Sequence, residues 1–152
     1  SGIAPIKTYL EDRITIAIGT DGPSSNNCLD MFREMFLVAA LNNLLEKDAS
    51  AVSAKDILQM STVNSAHAMG LVDADILAQG KLADIIMIDL QQPNMQPIHN
   101  IVNNLVFSGS KINVKMTMIN GKILYENQKF FVGMEPEEIY EKCKHIAERV
   151  IC

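Results

Sequence analysis

The first seventy residues alternate between apolar runs and polar stretches in a way that predicts mixed α/β structure. The pattern of residues 5–12 predicts a short helical segment that forms the end of a helix. The segment Ile14–Gly19 is apolar at nearly every position, as is typical of a strand buried on both faces in a parallel sheet. The apolar residues that follow have helical spacing and predict a helix capped by Asn27. Ser53–Asp56 predict the cap of a second helix, which should end at Gly70.

The pattern of the second half predicts antiparallel β structure followed by a helix. Four segments have the apolar content of strands: Ala83–Leu90, Asn104–Ser108, Val114–Ile119 and Lys122–Tyr125. The last two flank Asn120-Gly121, a strong hairpin signal, because both central residues of a type I′ turn need positive φ. Pro136 predicts the first turn of a final helix. The apolar residues of that helix form one stripe: Ile139, Cys143, Ile146 and Val150.

Composition narrows the class of protein. The chain has 152 residues, 48% of them hydrophobic, which is enough for a core of domain size. A net charge of −5 argues against a nucleic-acid partner, which would favour a basic face. The longest strictly apolar run, Met35–Leu41, is far short of the ~20 residues of a membrane span. The irregular spacing of Cys28, Cys143 and Cys152 indicates reduced thiols, and we expect a cytoplasmic protein with no membrane partner.

Asp21 is the residue on which a functional interpretation depends. In isolation, Thr20-Asp21-Gly22 is typical of a turn, since Asp and Gly favour turns through side-chain hydrogen bonds and positive φ. The predicted strand before it changes that assessment, because open α/β sheets and α/β barrels place their chemistry at the carboxyl ends of strands. Ser24, Ser25 and Asn26 add polar groups to the same loop. Asp21 is therefore a candidate catalytic carboxylate, and the turn interpretation stays open.

Other metal-binding signals are weak. His67 is expected to have a packing or capping role, His99 to lie in a loop and His145 to be solvated. The sequence has no HxH or HExxH pattern, and one Asp does not hold a catalytic zinc, which takes about three protein ligands. Cys28 is expected to be a small packed residue.

Five segments of the chain resemble the amidohydrolase superfamily in order and spacing. They are SGIAP, AIGTDGPSSNNCLDMFREM, STVNSAHAMGL, GKLADIIMIDL and VKMTMINGKILYENQKF. Within the superfamily the chain is similar to 5-methylthioadenosine/S-adenosylhomocysteine deaminases and the related chlorohydrolases. The resemblance covers essentially the whole chain. The block Gly19–Met35 is specific, whereas GKLADIIMID is common across the superfamily.

The resemblance implies an α/β fold that is the C-terminal part of a metal-dependent hydrolase. Residues 1–70 would be the remnant of a (β/α)8 barrel with its last strand and helices. Residues 71–134 would be part of a composite β-sandwich, and residues 135–152 a C-terminal amphipathic helix. A complete barrel takes about 250 residues. The chain therefore resembles the C-terminal third of such an enzyme.

The resemblance also implies a reaction and its residues. The parent enzyme would use zinc or iron to hydrolyse a C–N bond, most simply by deaminating a small adenosine-type substrate. Asp21 would ligate the metal and carry a proton from the attacking water to the leaving group. Ser24, Ser25 and Asn26 would form a loop wall near the substrate. Because the family's HxH pair and later histidines have no counterpart here, the isolated chain is expected to bind no cofactor and to be inactive.

Two alternatives stay open. The first is a chlorohydrolase-type enzyme with a different leaving group. The second is a truncated, non-catalytic interaction or assembly module. In each case we expect self-association, because predicted strands around Ile14–Ile18, Ile85, Val106 and Met116 would leave apolar sheet edges and faces without partners.

Overall fold

A computed structural model describes residues 2–150. Ser1, Ile151 and Cys152 lie outside the described residues, so the expectation for the third cysteine is not addressed. The described chain forms two compact units. The first contains residues 2–81 and 89–113, and the second contains residues 82–88 and 114–150.

The first unit is helical. Its α-helices are α1 (Ile6–Glu11), α2 (Met31–Glu46), α3 (Ala54–Ser61), α4 (Val63–Ala68) and α5 (Ile101–Phe107). Helices α2, α3 and α5 pack against one another. Their shared core includes the buried side chains of Phe32, Met35, Ala39, Ile57, Met60, Met95 and Val106. The short helix predicted near residues 5–12 is confirmed as α1.

Helix α2 begins later than predicted. Asn27 is not its cap; Asp30 is, and its side chain accepts the Phe32 N–H at 3.0 Å. The reason is local: the Cys28 N–H is bonded to the Asn26 side chain, and the Cys28 carbonyl accepts the Asp30 N–H. These two bonds keep residues 26–29 in a turn, so the helix starts only after Asp30.

The predicted second helix is two helices. Ser53 caps α3 as expected, accepting the Asp56 N–H at 3.1 Å. The helix breaks at Thr62, where the Ser61 and Thr62 hydroxyls both bond to the Leu58 carbonyl and compete with the helical pattern. The predicted end at Gly70 is confirmed. Its φ of 74° and the 2.8 Å bond from the Leu71 N–H to the Ala66 carbonyl form a Schellman end to α4.

The segment Ile14–Gly19 is not a strand in the described chain, which corrects the prediction. It has no strand neighbour among residues 2–150, and Ile14 is 49% exposed. Its polar backbone groups bond to helices instead. The Ile18 N–H donates to the Met60 carbonyl at 3.2 Å, and the Ile16 and Ile18 carbonyls accept side-chain hydrogen bonds from α4. The segment therefore lies along α3 and α4, with Ile16 and Ile18 half-buried and its other four residues exposed, rather than covered on both faces.

The strand predicted at Asn104–Ser108 is also wrong, because Asn104–Phe107 belong to α5 and Ser108 is its C-cap. Asn100 caps this helix by accepting the Asn103 N–H at 3.1 Å. Val106 is completely buried. A short apolar run does not distinguish a strand from a buried helix by periodicity. The cap at Asn100 was the signal that distinguishes them.

The second unit is built on a four-stranded antiparallel sheet. Its strands are β1 (Ile85–Ile88), β2 (Val114–Ile119), β3 (Lys122–Glu126) and β4 (Lys129–Phe130), in that order across the sheet. The predicted hairpin is confirmed, with φ of 48° at Asn120 and 77° at Gly121. Strand β4 was not predicted. The turn before it uses Asn127 and Gln128, both at positive φ, and Gln is an uncommon residue for that conformation.

Helix α6 (Pro136–Val150) begins at the predicted proline. None of its described residues is buried, so the apolar stripe is not covered in this structure. Self-association stays a prediction. Among residues 2–150, no helix combines the length and the apolar character that crossing a bilayer would require.

Candidate functional site

Asp21 lies in a left-handed turn directly after the extended segment. Its φ is 58°, a conformation that Asp tolerates better than most residues. Its Oδ1 accepts the Gly22 N–H at 2.7 Å, and its side chain is exposed. The carboxylate is thus held by its own turn and stays accessible, which suits both a turn residue and a ligand.

A cavity of about 410 Å³ adjoins the segment that leads to Asp21. Its volume falls within the range of roughly 300–1,000 Å³ that small-molecule sites occupy. Its lining is mostly small or apolar: Ala17, Ile18, Gly19, Thr20, Met31, Ser61, Ser65, Ala68 and Met69. Ser61 and Ser65 were not predicted from the sequence as site residues. Their only signal was two hydroxyl residues spaced four apart, near the end of one helix and within the next.

The three predicted loop residues have different surroundings. Ser24 and Ser25 are exposed, and their hydroxyls bond to no other described residue. Asn26 is half-buried, and its amide donates to the Thr20 carbonyl at 2.8 Å and to Glu34 Oε1 at 2.7 Å. Its Oδ1 accepts the Cys28 N–H at 3.1 Å. The structure therefore leaves the two serines free and engages Asn26 within the loop.

The three histidines are all exposed. His67 is exposed rather than packed, and its Nε2 lies 2.9 Å from Asp75 Oδ2. Lys81 Nζ lies 2.8 Å from the other oxygen of Asp75. The hydrogen bonds from Lys81 and His67 lower the pKa of Asp75 to about 2. This network ties the end of α4 to the loop after it. His99 is an exposed loop residue and His145 is solvated beside Glu148, as expected.

Asp21 is the residue that the sequence motifs predict as a metal ligand. Residues 2–150 contain no group of three His, Cys, Asp or Glu side chains placed to hold a metal ion. Carboxylate oxygen is an accepted zinc ligand, and the Asp21 side chain is accessible. The chemistry of Asp21 is therefore compatible with zinc, for which this residue could supply one ligand. Cys28 is half-buried, consistent with a small packed residue.

The isolated 152-residue chain is expected to bind no zinc or iron tightly, because Asp21 has no partner ligands among the described residues. Elemental analysis after dialysis should give well below one equivalent of metal, and Asp21→Asn should not change that value. Retention of near one equivalent by the unsubstituted chain would contradict the expectation.

A family profile, sequence relatives and solved structures all indicate the same protein family. The profile of the Amidohydrolase family matches residues 1–124. The chain is 39% identical over 150 residues to a 5-methylthioadenosine/S-adenosylhomocysteine deaminase of Dictyoglomus thermophilum. It is 36% identical over 151 residues to a 5'-deoxyadenosine deaminase of Methanosarcina acetivorans. Each alignment covers 99% of this chain but only 35% and 34% of the relative, so the chain spans about a third of their length.

Solved structures are similar over the same extent. A zinc-bound adenosine deaminase from Xanthomonas campestris matches with a TM-score of 0.93 at 30% identity, covering 99% of this chain and 34% of that one. An atrazine chlorohydrolase from Arthrobacter aurescens, complexed with zinc, matches with a TM-score of 0.85 at 28% identity, covering 95% of this chain and 32% of that one. The resemblance found in the sequence motifs is confirmed. The chain belongs to the amidohydrolase family.

Proposed function

We propose that this chain is the C-terminal part of a metal-dependent amidohydrolase that deaminates an adenosine-type substrate. The substrate class is inferred from two relatives that each align with 99% of the chain. One is a 5-methylthioadenosine/S-adenosylhomocysteine deaminase, and the other is a 5'-deoxyadenosine deaminase. In this proposal residues 1–70 complete a (β/α)8 barrel, the sheet β1–β4 within residues 71–134 belongs to a composite β-sandwich, and α6 is the terminal helix. The short coverage of the relatives supports a longer parent protein.

Asp21 is proposed as a metal ligand and as the group that moves protons. Its support is its accessible carboxylate and its position after a segment that α3 and α4 hold in place. A bound zinc ion would supply a water molecule whose pKa falls from about 15.7 to about 7. In deamination the water oxygen bonds to the amine-bearing carbon of the purine, the C–N bond breaks, and ammonia leaves. Asp21 accepts a proton from the water and returns one to the departing amine.

The polar loop after Asp21 has a supporting role in this proposal. Ser24 and Ser25 present exposed hydroxyls within four residues of Asp21 in the chain. We assign them to the wall of the substrate site, where a hydroxyl can donate to or accept from a ribose oxygen or a ring nitrogen.

A chlorohydrolase activity is the second candidate. The atrazine chlorohydrolase structure supports it, with a TM-score of 0.85 at 28% identity. The two activities share attack by water and differ in the group that leaves. The adenosine-type reaction is preferred because the relatives with the higher identity, 39% and 36%, are named as adenosine-type deaminases.

The test is an assay of the longer protein, loaded with zinc or iron, against purine nucleosides and aminotriazines. The expected result is ammonia release from 5-methylthioadenosine, S-adenosylhomocysteine or 5'-deoxyadenosine, with little turnover of triazines. Turnover of triazines alone would favour the chlorohydrolase. No turnover of either class by a metal-loaded protein would favour a non-catalytic module. The isolated chain serves as the negative control, since we expect it to be inactive.

A further inference from the structure

The side chain of Asn26 connects two parts of the chain that sequence patterns do not relate. One amide hydrogen bond goes back six residues to the Thr20 carbonyl, which belongs to the peptide joined to Asp21. The other goes forward eight residues to Glu34 on α2. We propose that Asn26 and Glu34 form a positioning pair that fixes the Asp21 turn on helix α2. The inference rests on the catalytic role proposed for Asp21.

The hydrogen-bond capacity of Asn26 supports a positioning role. An Asn amide has two N–H donors and one carbonyl acceptor. Both donors are engaged, at 2.8 Å and 2.7 Å, and Oδ1 accepts the Cys28 N–H. A substrate would have to displace Thr20 or Glu34 to receive a hydrogen bond from this amide. Asn26 therefore acts through the loop rather than by direct contact with substrate.

Glu34 provides the fixed end of the link. It lies in the first turn of α2, and its own N–H donates to the carbonyl of the capping residue Asp30 at 3.2 Å. The bond from Asn26 to its carboxylate is charge-assisted and so stronger than a bond between neutral groups. The orientation of α2 is in turn set by the core side chains Phe32 and Met35.

The remaining bonds of the turn are local. The Gly22 carbonyl accepts the N–H groups of Ser25 and Asn26, which shapes the turn without attaching it to a helix. Among the described residues, the Asn26 amide gives the only side-chain hydrogen bonds that link Thr20 to α2. Without it, the Asp21 carboxylate would keep its local turn but lose its fixed place relative to that helix.

The first measurement is hydrogen exchange of the 152-residue chain. Asn26→Ala should speed exchange in the peptides covering residues 20–28 by about tenfold, because the three half-buried hydrogen bonds of this side chain are lost. Asn27→Ala is the matched control: it removes the same side chain one position away, where the residue is exposed and its amide bonds to no described residue. Its exchange should equal that of the unsubstituted chain.

The second measurement separates positioning from substrate contact in the metal-loaded longer protein. Asn26→Ala should lower kcat by roughly 10–100-fold and change KM little. The reason is that a displacement of about 1 Å in a reacting group slows the chemical step by a factor of that order. Glu34→Gln keeps an acceptor for the Asn26 amide and should retain most of the rate. Glu34→Ala removes the acceptor and should resemble Asn26→Ala.

Three results would overturn the proposal: exchange in Asn26→Ala equal to that in Asn27→Ala, faster exchange with unchanged kcat, or a rise in KM with kcat unchanged. The proposed function fails in a different way. If Asp21→Asn leaves turnover near normal, the catalytic role of Asp21 is wrong, and the exchange experiment still reports on the link between the loop and α2.

Discussion

Replacement of Asp21 by Asn in the longer, metal-loaded protein is expected to lower kcat by about 10²–10⁴-fold, the contribution typical of a positioned general acid or base. Asn has nearly the same shape as Asp but cannot accept a proton at neutral pH. It is also a weaker metal ligand because it carries no charge. The measurement is kcat for 5'-deoxyadenosine, together with the zinc content of each protein.

The fold should be unaffected by this change, which makes the experiment decisive. Asn also adopts positive φ readily, and its Oδ1 can accept the Gly22 N–H as Asp21 does. A matched control is Asp48→Asn, since Asp48 is another exposed turn aspartate whose Oδ1 accepts a backbone N–H, that of Ser50. It should leave kcat and thermal stability close to normal. Near-normal turnover of Asp21→Asn would mean that Asp21 is only a turn residue.

The candidate site could be predicted only as far as its proposed residues follow from one contiguous motif. Asp21 and the serines after it stand in a single block of the chain, and the structure places them in one exposed turn. The engagement of Asn26 was not predictable. Its partner Glu34 is eight residues away, on a helix whose start was placed at the wrong residue. Such a contact depends on how the turn meets the helix, and no spacing rule specifies that geometry.

For the fold, too, some elements could be predicted from the sequence and others could not. Three signals that act within a few residues were read correctly: the Ser53 cap, the Gly70 helix end and the Asn120-Gly121 hairpin. The Asn27 cap, also a local signal, was wrong because Asp30 caps the helix instead. Each depends on local hydrogen bonds or on φ. Interpretations that needed knowledge of distant neighbours failed. The segment Ile14–Gly19 was expected to pair with strands, and Asn104–Ser108 was expected to be extended. In the described chain the first segment lies along helices, and most of the second is part of a helix. Apolar content alone does not distinguish a strand from either arrangement.

The largest effect on stability is expected for Ile57→Ala. Ile57 on α3 has no exposed surface, and it lies in the core that α2, α3 and α5 share. Truncation of a buried Ile to Ala costs about 2–5 kcal/mol, since apolar contacts are lost and a cavity is left. The measurement is urea unfolding followed by far-UV circular dichroism. Ile57→Val should cost only about 0.5–1.5 kcal/mol. Leu44→Ala, at a 71% exposed position of α2, should have almost no effect.

Ile57→Ala also tests whether the core supports the segment that carries Asp21. Three bonds hold that segment: the Met60 carbonyl accepts the Ile18 N–H, and Asn64 and Ser65 donate to the Ile16 and Ile18 carbonyls. Met60 follows Ile57 by three residues on α3 and is itself fully buried. A cavity at Ile57 should therefore loosen this end of α3 and speed hydrogen exchange at residues 16–18 as well as within the helix. Exchange at residues 16–18 that stays normal while α3 is destabilised would mean that the segment is held by α4 alone, through Asn64 and Ser65.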